Sequence, residues 1–438
     1  MYKTAKSQPN TKEVLMAQIT SINVYPVGAP PTGFGGDARN IAQGGPTYAN
    51  VVLEVHTDQA DLKGTAIIFT NGHGLQETCN MTHVAATRFL RDKSAPVDLD
   101  WLAEGSNLGK FGKTILQDSD YNWLGGVGIS RMAVGAVINA LWDLVSRIHG
   151  LPAWEWMARL SPKQLLDFID FEQIGDVVSP QQALAIFNNA QDGLDERINT
   201  IFDKGILAYN TAGWSGISID ELQDQTKKMI DAGWPQIKIK VGATYTAKHM
   251  ELEGSDQILS REDLDAIAIA AAEDDIERMN LVYKTIEDYD TRAQKMTVAV
   301  DSNQVFDPKS AIVFIRHLAE GIYKENPNNT IQWFEEPTNQ HSAMGHVLIQ
   351  EQLNLAFKDY NPPLRVPIST GEQGALPVMF KNLMHAPAPA DPNSKYAIDV
   401  IQMDYSRVAG ILDNISILLL AQQARIEGRD IRICPHTG

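Results

Sequence analysis

The sequence predicts an α/β protein in which an N-terminal α+β domain precedes a barrel of parallel strands and helices. From about residue 205 onward, short apolar strands alternate with helical stretches, which is typical of a parallel sheet covered on both faces. Nearly every one of these strands ends in an ionisable or amide residue, and barrels carry their functional groups at the carboxyl ends of their strands. An open, doubly wound sheet is the alternative, and the polar strand ends favour the barrel.

The first 165 residues predict three strands and a long helix. Apolar and polar residues alternate over 17–28, 48–57 and 61–70, as in half-buried strands, and a Gly-rich loop at 33–46 lies between the first two. Apolar residues recur with helical spacing over 130–145 and predict a buried helix. We predict a flexible extension over 1–16 and an α+β domain over 17–165. A connecting segment over 166–204 then leads to the barrel over 205–438.

Seven barrel strands are predicted, and most of them end in chemically useful side chains. The strands are 206–213, 235–242, 296–303, 330–337, 365–372, 397–405 and 430–436. The strand-end groups are, in order, Lys238 with Lys240, Asp301 with Asn303, Glu335, Glu372, Asp404 and His436. From Asp301 onward the steps between acidic or basic groups are 34, 37, 32 and 32 residues, each close to one strand-helix unit. We therefore expect these side chains to meet at one mouth of the barrel.

Lys238 and Lys240 are two positions apart, so in a strand both point to the same side. In a barrel interior the two ammonium groups would crowd each other near a metal, and both effects would lower the pKa of Lys240 towards that of a usable base. A solvated edge strand is the alternative explanation of a K-x-K pattern. The β-branched residues Ile237, Ile239 and Val241, inside a series of strand-helix units, favour the interior.

Three acids on consecutive predicted strands, Asp301, Glu335 and Glu372, indicate an oxygen-rich site for a hard cation. Mg2+ is the expected cofactor and Mn2+ a substitute, whereas zinc is disfavoured because no His or Cys accompanies the acids. Helix capping is the alternative for any one of them. Glu336 follows Glu335 directly, and because neighbouring strand residues face opposite sides, we assign Glu335 as the ligand.

Asp404 and His436 follow neighbouring predicted strands. The carboxylate would accept a hydrogen bond from one imidazole nitrogen and leave the other to face a substrate. A structural histidine at a strand end is the alternative. The carboxylate one strand-helix unit earlier favours the catalytic pair.

The composition argues against several classes of partner. The net charge of −17 disfavours nucleic acid and an anionic membrane as partners, since both require a basic surface on the protein. A small anionic substrate is still compatible with this charge, because a metal and a few lysines can make one pocket locally positive. The apolar segments are short and broken by charge, so none is expected to span a bilayer. The polar N-terminal residues lack a signal sequence, and Cys79 and Cys434 form no disulfide framework; both observations predict a cytoplasmic protein.

Six short motifs resemble the strand-end motifs of the mandelate racemase subgroup of the enolase superfamily: K-x-K, DSN, FEEPT, STGEQ, IQMDYSR and CPHTG. Longer stretches, including WLGGVGISRMAVGAVINALWDL, LLDFIDFEQIGD, AYNTAGWSGIS and FEEPTNQHSAMGH, resemble L-fuconate dehydratase and its relatives that act on L-galactonate. The similarity runs from about residue 17 to residue 438. It implies an enolase-type (β/α)7β TIM-like barrel, capped by the α+β domain, which closes over the substrate.

The resemblance implies a Mg2+-dependent dehydratase of a sugar acid, often a homo-oligomer, that yields a 2-keto-3-deoxy product. The metal ligands would be Asp301, Glu335 and Glu372. Lys240 would be the base, supported by Lys238. His436 would be the acid, and Asp404 would orient it. The base would take the proton next to the carboxylate, and the acid would help the 3-hydroxyl leave. Substrate contacts are expected from Asn303, from Trp214 and from Asp37 in the Gly-rich loop; ordinary packing is the alternative for Trp214.

Two features depart from that pattern. The resembled enzymes continue beyond the counterpart of His436 through an eighth barrel strand with a further glutamate and a tail that completes the cap. The last barrel strand is thus expected to be missing from this chain, as in an incomplete sequence or a degenerate relative. The step from Lys240 to Asp301 is 61 residues, nearly twice the other steps, and the extra residues contain a helix-start signal at Ser260. A Pro-rich segment at 385–395 predicts a surface loop.

Alternative functions follow from the same residues. An epimerase or a cycloisomerase of the same superfamily is one, because a lysine and a histidine that flank a carbanion also return a proton. A non-catalytic truncated relative that keeps the metal site is the alternative of another class.

Overall fold

The computed structural model describes residues 17–28, 48–91, 96–253, 258–385 and 398–436. Ten strands lie within them: β1 Ile19–Gly28, β2 Ala49–Thr57, β3 Lys63–Phe69, β4 Asn210–Ala212, β5 Gln236–Lys240, β6 Thr297–Asp301, β7 Ile331–Glu335, β8 Ile368–Thr370, β9 Val400–Ile401 and β10 Arg432–Ile433. Over the same residues, the helices that precede β4 are α1 Leu75–Leu90, α2 Leu99–Ala103, α3 Asn107–Leu116, α4 Ser119–Trp123, α5 Ile129–Ile148, α6 Ala153–Ala158, α7 Pro162–Leu165, α8 Phe171–Ile174, α9 Pro180–Asn189 and α10 Leu194–Lys204. The helices that follow β4 are α11 Ile219–Asp231, α12 Ala243–Glu253, α13 Arg261–Tyr289, α14 Pro308–Glu325, α15 Ala343–Phe357, α16 Pro377–His385 and α17 Gly410–Ile426.

The first three strands form an antiparallel sheet in the order β1-β2-β3, with helices α1 and α5 against it. Alternate residues of β2, among them Val51, Leu53 and Val55, are fully buried because one face of the sheet packs on these helices. Gly64 of β3 allows the closest approach: a Cβ there would lie 2.1 Å from the carbonyl oxygen of Ala140 in α5. The three strands and the helix predicted for this region are confirmed.

Helix α5 is the core helix of the N-terminal region. By length and composition alone it could cross a membrane, so the premise that every apolar segment is short was wrong. In the structure 83% of its 18-residue apolar window is buried inside the protein. Its apolar residues therefore face the sheet and the neighbouring helices.

The remaining seven strands form one parallel sheet in the sequential order β4-β5-β6-β7-β8-β9-β10. A contact between residues near the two ends of the strand order shows that the sheet curls. The Nε2 atom of Gln402, just beyond β9, lies 3.3 Å from the hydroxyl of Tyr209, just before β4. Strands at opposite ends of the order thus meet, as in a barrel. The predicted α/β class and all seven predicted barrel strands are confirmed, and each strand is shorter than its predicted range.

The segment between β5 and β6, which includes the predicted surplus, forms α12 and the 29-residue α13. Ser260 caps α13 with a reciprocal pair of bonds, in which its hydroxyl accepts from the backbone of Asp263 and its own backbone donates to the Asp263 carboxylate. The predicted helix start is confirmed. The Gly-rich loop at 33–46 and, apart from His385, the Pro-rich segment at 385–395 lie outside the described residues.

A buried ion pair fastens α5 to α17 of the barrel. Arg131 donates two hydrogen bonds to Asp413, at 2.7 and 3.0 Å, and the two side chains are only 6% and 2% exposed. Asp413 also accepts from the backbone N–H of Ala409 at 2.7 Å. Nearby, Asn139 accepts from the N–H of Ile411, so polar contacts fix how the two regions dock.

We predict that Arg131→Ala lowers the free energy of unfolding by about 3–5 kcal/mol, because it leaves the Asp413 carboxylate buried without its counter-ion. Urea denaturation measures the change. The matched control is Arg147→Ala on the same helix, whose ion pair with Asp143 is half exposed and is worth at most about 1 kcal/mol. Equal losses in the two variants would contradict the prediction.

His346, near the start of α15, predicts an acid-sensitive step in stability. Its Nδ1 donates to the carbonyl of Ser342, and its Nε2 is buried with no hydrogen-bond partner among the described residues. Burial lowers the pKa of His346 to about 4 from the usual 6.5. The unfolded chain therefore takes up this proton first, so the contribution of His346 to stability falls as the pH drops from 6.5 to 4, and this contribution stays constant below that range.

We expect His346→Gln to remove this loss. Between pH 7.5 and pH 5 the wild-type free energy of unfolding should fall by about 2 kcal/mol more than that of the variant, since each pKa unit is worth about 1.4 kcal/mol. Urea titrations of both proteins at the two pH values measure it. Parallel pH dependences would show that the imidazole contributes nothing.

Candidate active site

Three carboxylates converge at the carboxyl ends of β6, β7 and β8. One oxygen from each of Asp301, Glu335 and Glu372 lies within 4.8 Å of the other two. The first two side chains are completely buried and the third is partly buried. The parallel register Asp301↔Glu335 places the first pair side by side, because each acid is the last residue of its strand. The sequence predicted these three residues as a group, and the structure brings them together.

Two lysines of β5 face this triad. Lys238 Nζ lies 2.5 Å from Glu335 Oε1 and 3.0 Å from Asp301 Oδ2. Lys240 Nζ lies 2.6 Å from Asp301 Oδ2 and 3.0 Å from the side-chain oxygen of Asn303. Both lysines are at least 95% buried, so they occupy the interior side of β5 as predicted. A solvated edge strand is thereby excluded.

The charges at the site balance one another only in part. Burial alone would lower the pKa of Lys238, but the charges of Asp301 and Glu335 raise it well above its usual value. Burial would raise the pKa of Asp301, but the two lysines lower it. For Glu335, burial and the charges of Asp301 and Glu372 raise the pKa despite Lys238. The excess of negative charge is the electrostatic environment that a divalent cation stabilises.

Asp404 and His436 form a hydrogen-bonded pair. Their backbones form a parallel bridge beyond β9 and β10, and His436 Nδ1 lies 2.8 Å from Asp404 Oδ2. The other ring nitrogen, Nε2, lies 3.4 Å from Glu372 Oε2 and so faces the triad. Burial works to lower the pKa of His436, but the hydrogen bond to Asp404 and the charge of Glu372 raise it. The imidazole is therefore oriented by one carboxylate and directed at the site.

The loops after β6 and β7 are held in an unusual backbone conformation. Asn303, Gln304 and Glu336 have φ values of 48°, 64° and 47°, in the left-handed region. Glu336 is as buried as Glu335, but it accepts from Gln304 Nε2 at 2.7 Å and lies outside the carboxylate triad. Burial, with the charges of Glu372 and Asp301, raises the pKa of Glu336 well above its usual value. This neighbour of Glu335 thus joins two loops.

The sequence interpretation missed several residues that surround the triad. Gln402 donates to Glu335 Oε2 at 2.7 Å and also accepts from Ser369. Trp333 donates to the same oxygen of Glu335 at 3.0 Å. The signal was present, because Gln402 precedes Asp404 by two positions and Trp333 precedes Glu335 by two, so each pair shares a strand face.

Hydrogen bonds with the long helix α13 hold the end of β5, the strand that carries both lysines. Arg278 donates to the carbonyls of Lys240 and Gly213 at 2.8 and 3.1 Å, and Asp275 holds its guanidinium at 2.8 Å. Asp275 also accepts from the N–H of Gly242 at 2.7 Å. Helix α13 therefore fixes the end of the strand that carries both lysines.

Three further residues were predicted to contact a substrate. Asn303 lies beside Lys240, as its hydrogen bond shows. The ring of Trp214 lies 5.3 Å from Lys240 Nζ, so this side chain borders the lysines. Asp37 lies outside the described residues. The roles assigned to all site residues stay predictions.

The donor set fits a hard divalent cation. Three carboxylate oxygens lie close enough to share one ion, and no His or Cys belongs to the group. Hydrogen bonds from Gln402 and Trp333 orient Glu335, in the way that outer groups hold metal ligands in place.

Residues 221–438 match the protein family described as enolase C-terminal domain-like. The chain belongs to the enolase superfamily. Mitochondrial enolase superfamily member 1 of Homo sapiens is 28% identical over 411 residues, which are 93% of this chain and 77% of that protein. The crystal structure of that human protein matches with a TM-score of 0.75 and covers 96% of this chain and 80% of the other. The predicted superfamily and the enolase-type barrel are confirmed.

Dehydratases are among the superfamily relatives of this chain. L-galactonate dehydratase of Hypocrea jecorina is 29% identical over 408 residues, 92% of this chain and 74% of that protein. The crystal structure of L-talarate dehydratase from Polaromonas sp. JS666, complexed with Mg and L-glucarate, has a TM-score of 0.60 and 19% identity, with 96% of this chain and 82% of the other covered. At that identity the similarity shows the shared fold alone.

We predict that Glu335→Gln weakens Mn2+ binding by about 100-fold or more, since loss of even an outer-shell partner costs about 10–100-fold in metal affinity. Isothermal titration calorimetry and the electron paramagnetic resonance spectrum of free Mn2+ measure the affinity. Glu336→Gln is the matched control, because it makes the same change one residue further on, outside the triad. Equal weakening in the two variants would contradict the assignment of Glu335 as the ligand.

Proposed function

We propose that this protein is a Mg2+-dependent dehydratase of a sugar acid, an L-fuconate- or L-galactonate-like aldonate, that gives a 2-keto-3-deoxy acid. The observation that carries the proposal is the placement of a lysine and a histidine, two groups able to transfer protons, at the two ends of one carboxylate triad. Lys240 contacts Asp301 at one end, and His436 faces Glu372 at the other. The kinship with L-galactonate dehydratase supports the substrate class.

Asp301, Glu335 and Glu372 would hold the cation. When bound, the cation would attract the substrate carboxylate and stabilise the negative charge that develops on its oxygens. A substrate whose carboxylate lies at the triad would present its neighbouring carbon between Lys240 and His436.

Lys240, as the neutral amine, would take the proton from that carbon. Lys238 lies against Asp301 as well, so its positive charge would favour the deprotonated form of its neighbour. Asn303 accepts from Lys240 Nζ and would keep the amine aimed at the substrate. Trp214 covers the lysine on another side and would exclude water.

His436 would complete the elimination. Its Nε2 proton would pass to the 3-hydroxyl as the carbon-oxygen bond breaks, so that water leaves. Asp404 would stabilise the ring in the protonated form that precedes this transfer, through the bond to Nδ1. The resulting enol would then take up a proton at carbon 3 and become the 2-keto-3-deoxy acid.

We predict that the purified protein forms 2-keto-3-deoxy product from at least one member of a panel of aldonic and aldaric acids, in a semicarbazide assay that requires Mg2+. Lys240→Ala and His436→Asn should each lower kcat by about 100- to 10,000-fold, the usual contribution of a general base or acid. Lys284→Ala and His317→Asn, at exposed positions, are matched controls that should keep full activity.

Proton exchange separates the two roles. In D2O, His436→Asn should still exchange the proton next to the substrate carboxylate, because Lys240 is intact, whereas Lys240→Ala should lose both exchange and dehydration. Nuclear magnetic resonance of the substrate reports the exchange. Conversion of a substrate into its epimer without loss of water would favour the epimerase. A folded protein that binds Mn2+ and neither exchanges nor converts any acid would favour the non-catalytic relative.

A further inference from the structure

Ser406 lies in the turn after β9, two residues beyond Asp404, and is 5% exposed. Its hydroxyl oxygen lies 2.7 Å from Asp404 Oδ1, and its backbone N–H donates to the same oxygen at 2.7 Å. The other oxygen of Asp404 accepts from His436. One carboxylate is therefore held between a serine on one side and the imidazole on the other.

The same hydroxyl reaches the N-terminal sheet. The backbone N–H of Phe69, the last residue of β3, donates to Ser406 Oγ at 3.3 Å. A hydroxyl has one proton to donate. An ionised carboxylate only accepts, so the proton of Ser406 is directed to Asp404, while the Phe69 N–H donates to a lone pair of the same hydroxyl oxygen. The ring of Phe69 also lies 6.3 Å from the ring of His436, so β3 contacts both ends of this chain of bonds.

We propose that Ser406 is a positioning residue that holds the Asp404–His436 pair in its reactive geometry and makes that geometry depend on the docking of β3. Its role in turnover rests on the proposed dehydratase function, but its effect on the imidazole does not. Two donors on Oδ1 resist rotation of the carboxylate, so Oδ2 stays opposite Nδ1 of the ring. The neutral imidazole then carries its proton on Nδ1, which leaves Nε2 to the site.

Loss of the hydroxyl has a definite expected result. In Ser406→Ala, Asp404 keeps one donor on Oδ1 and gains freedom to rotate, while the Phe69 N–H loses its acceptor. The imidazole should then populate both neutral tautomers. If the proposed dehydratase activity exists, kcat should fall by about 10-fold, the lower range for loss of an outer-shell partner, and KM should stay within about twofold because no substrate contact is removed.

The experiment measures the 15N resonances of His436 at alkaline pH, where the ring is neutral, together with kcat and KM. Ser416→Ala is the matched control: it removes a buried serine hydroxyl on α17 that donates only to the carbonyl of Leu412 among the described residues. Ser406→Thr and Ser406→Val form a second pair of nearly equal shape, in which only threonine keeps a hydroxyl. This pair decides the question if the alanine variant does not fold.

The expected result is one tautomer in the wild type, Ser406→Thr and Ser416→Ala, and mixed tautomers with reduced kcat in Ser406→Ala and Ser406→Val. Unchanged His436 resonances in the variants without the hydroxyl would overturn the proposal, and so would an equal loss of kcat in Ser416→Ala. The resonances need no substrate. A tautomer change in a protein that dehydrates no sugar acid would therefore support the role of Ser406 while refuting the proposed function.

Discussion

Attraction between buried charges of opposite sign is the constraint on which the site and its strands both depend. Asp301 and Glu335 are completely buried, and an isolated carboxylate in that position would cost several kcal/mol. The cost is offset because the register Lys240↔Asp301 places the ammonium groups of β5 beside them. A shift of one residue between β5 and β6 would turn both lysines to the other face of the sheet. The barrel therefore has one register in which these charges are compensated.

Strand-end chemistry was predictable from sequence because two simple periods encode it. Alternation along a strand places Lys238 and Lys240 on one side, and the length of a strand-helix unit sets the spacing from Asp301 to His436. Parallel strands bring their carboxyl ends to one edge, so residues far apart in sequence become neighbours. This reasoning located the triad, the lysines and the histidine, although the extent of each strand was overestimated.

The supporting residues could not be predicted in the same way. Arg278 lies within a helix, where an arginine is usually solvated, and apart from Asp275 the groups that it contacts are backbone carbonyls, which leave no trace in the sequence. The hydroxyl of Ser406 accepts a hydrogen bond from Phe69, 337 positions earlier in the chain. The two residues belong to different sheets, and no rule of sequence spacing relates them. Gln402 was within reach of the alternation rule, but an amide two residues before a carboxylate has many roles. Such contacts depend on how separate layers dock.

The positive φ values in the loops after β6 and β7 would limit the transfer of this site to another protein. A non-glycine residue in that conformation costs about 1–3 kcal/mol, and Asn303, Gln304 and Glu336 all adopt it beside the ligands. The bond from Gln304 to Glu336 and the backbone bond from Gln304 to the Glu336 carbonyl hold the two loops together against that cost. Grafting the three carboxylates alone onto another barrel would leave their loops free to relax. A successful transfer would therefore need the two loops after β6 and β7 together with the three carboxylates.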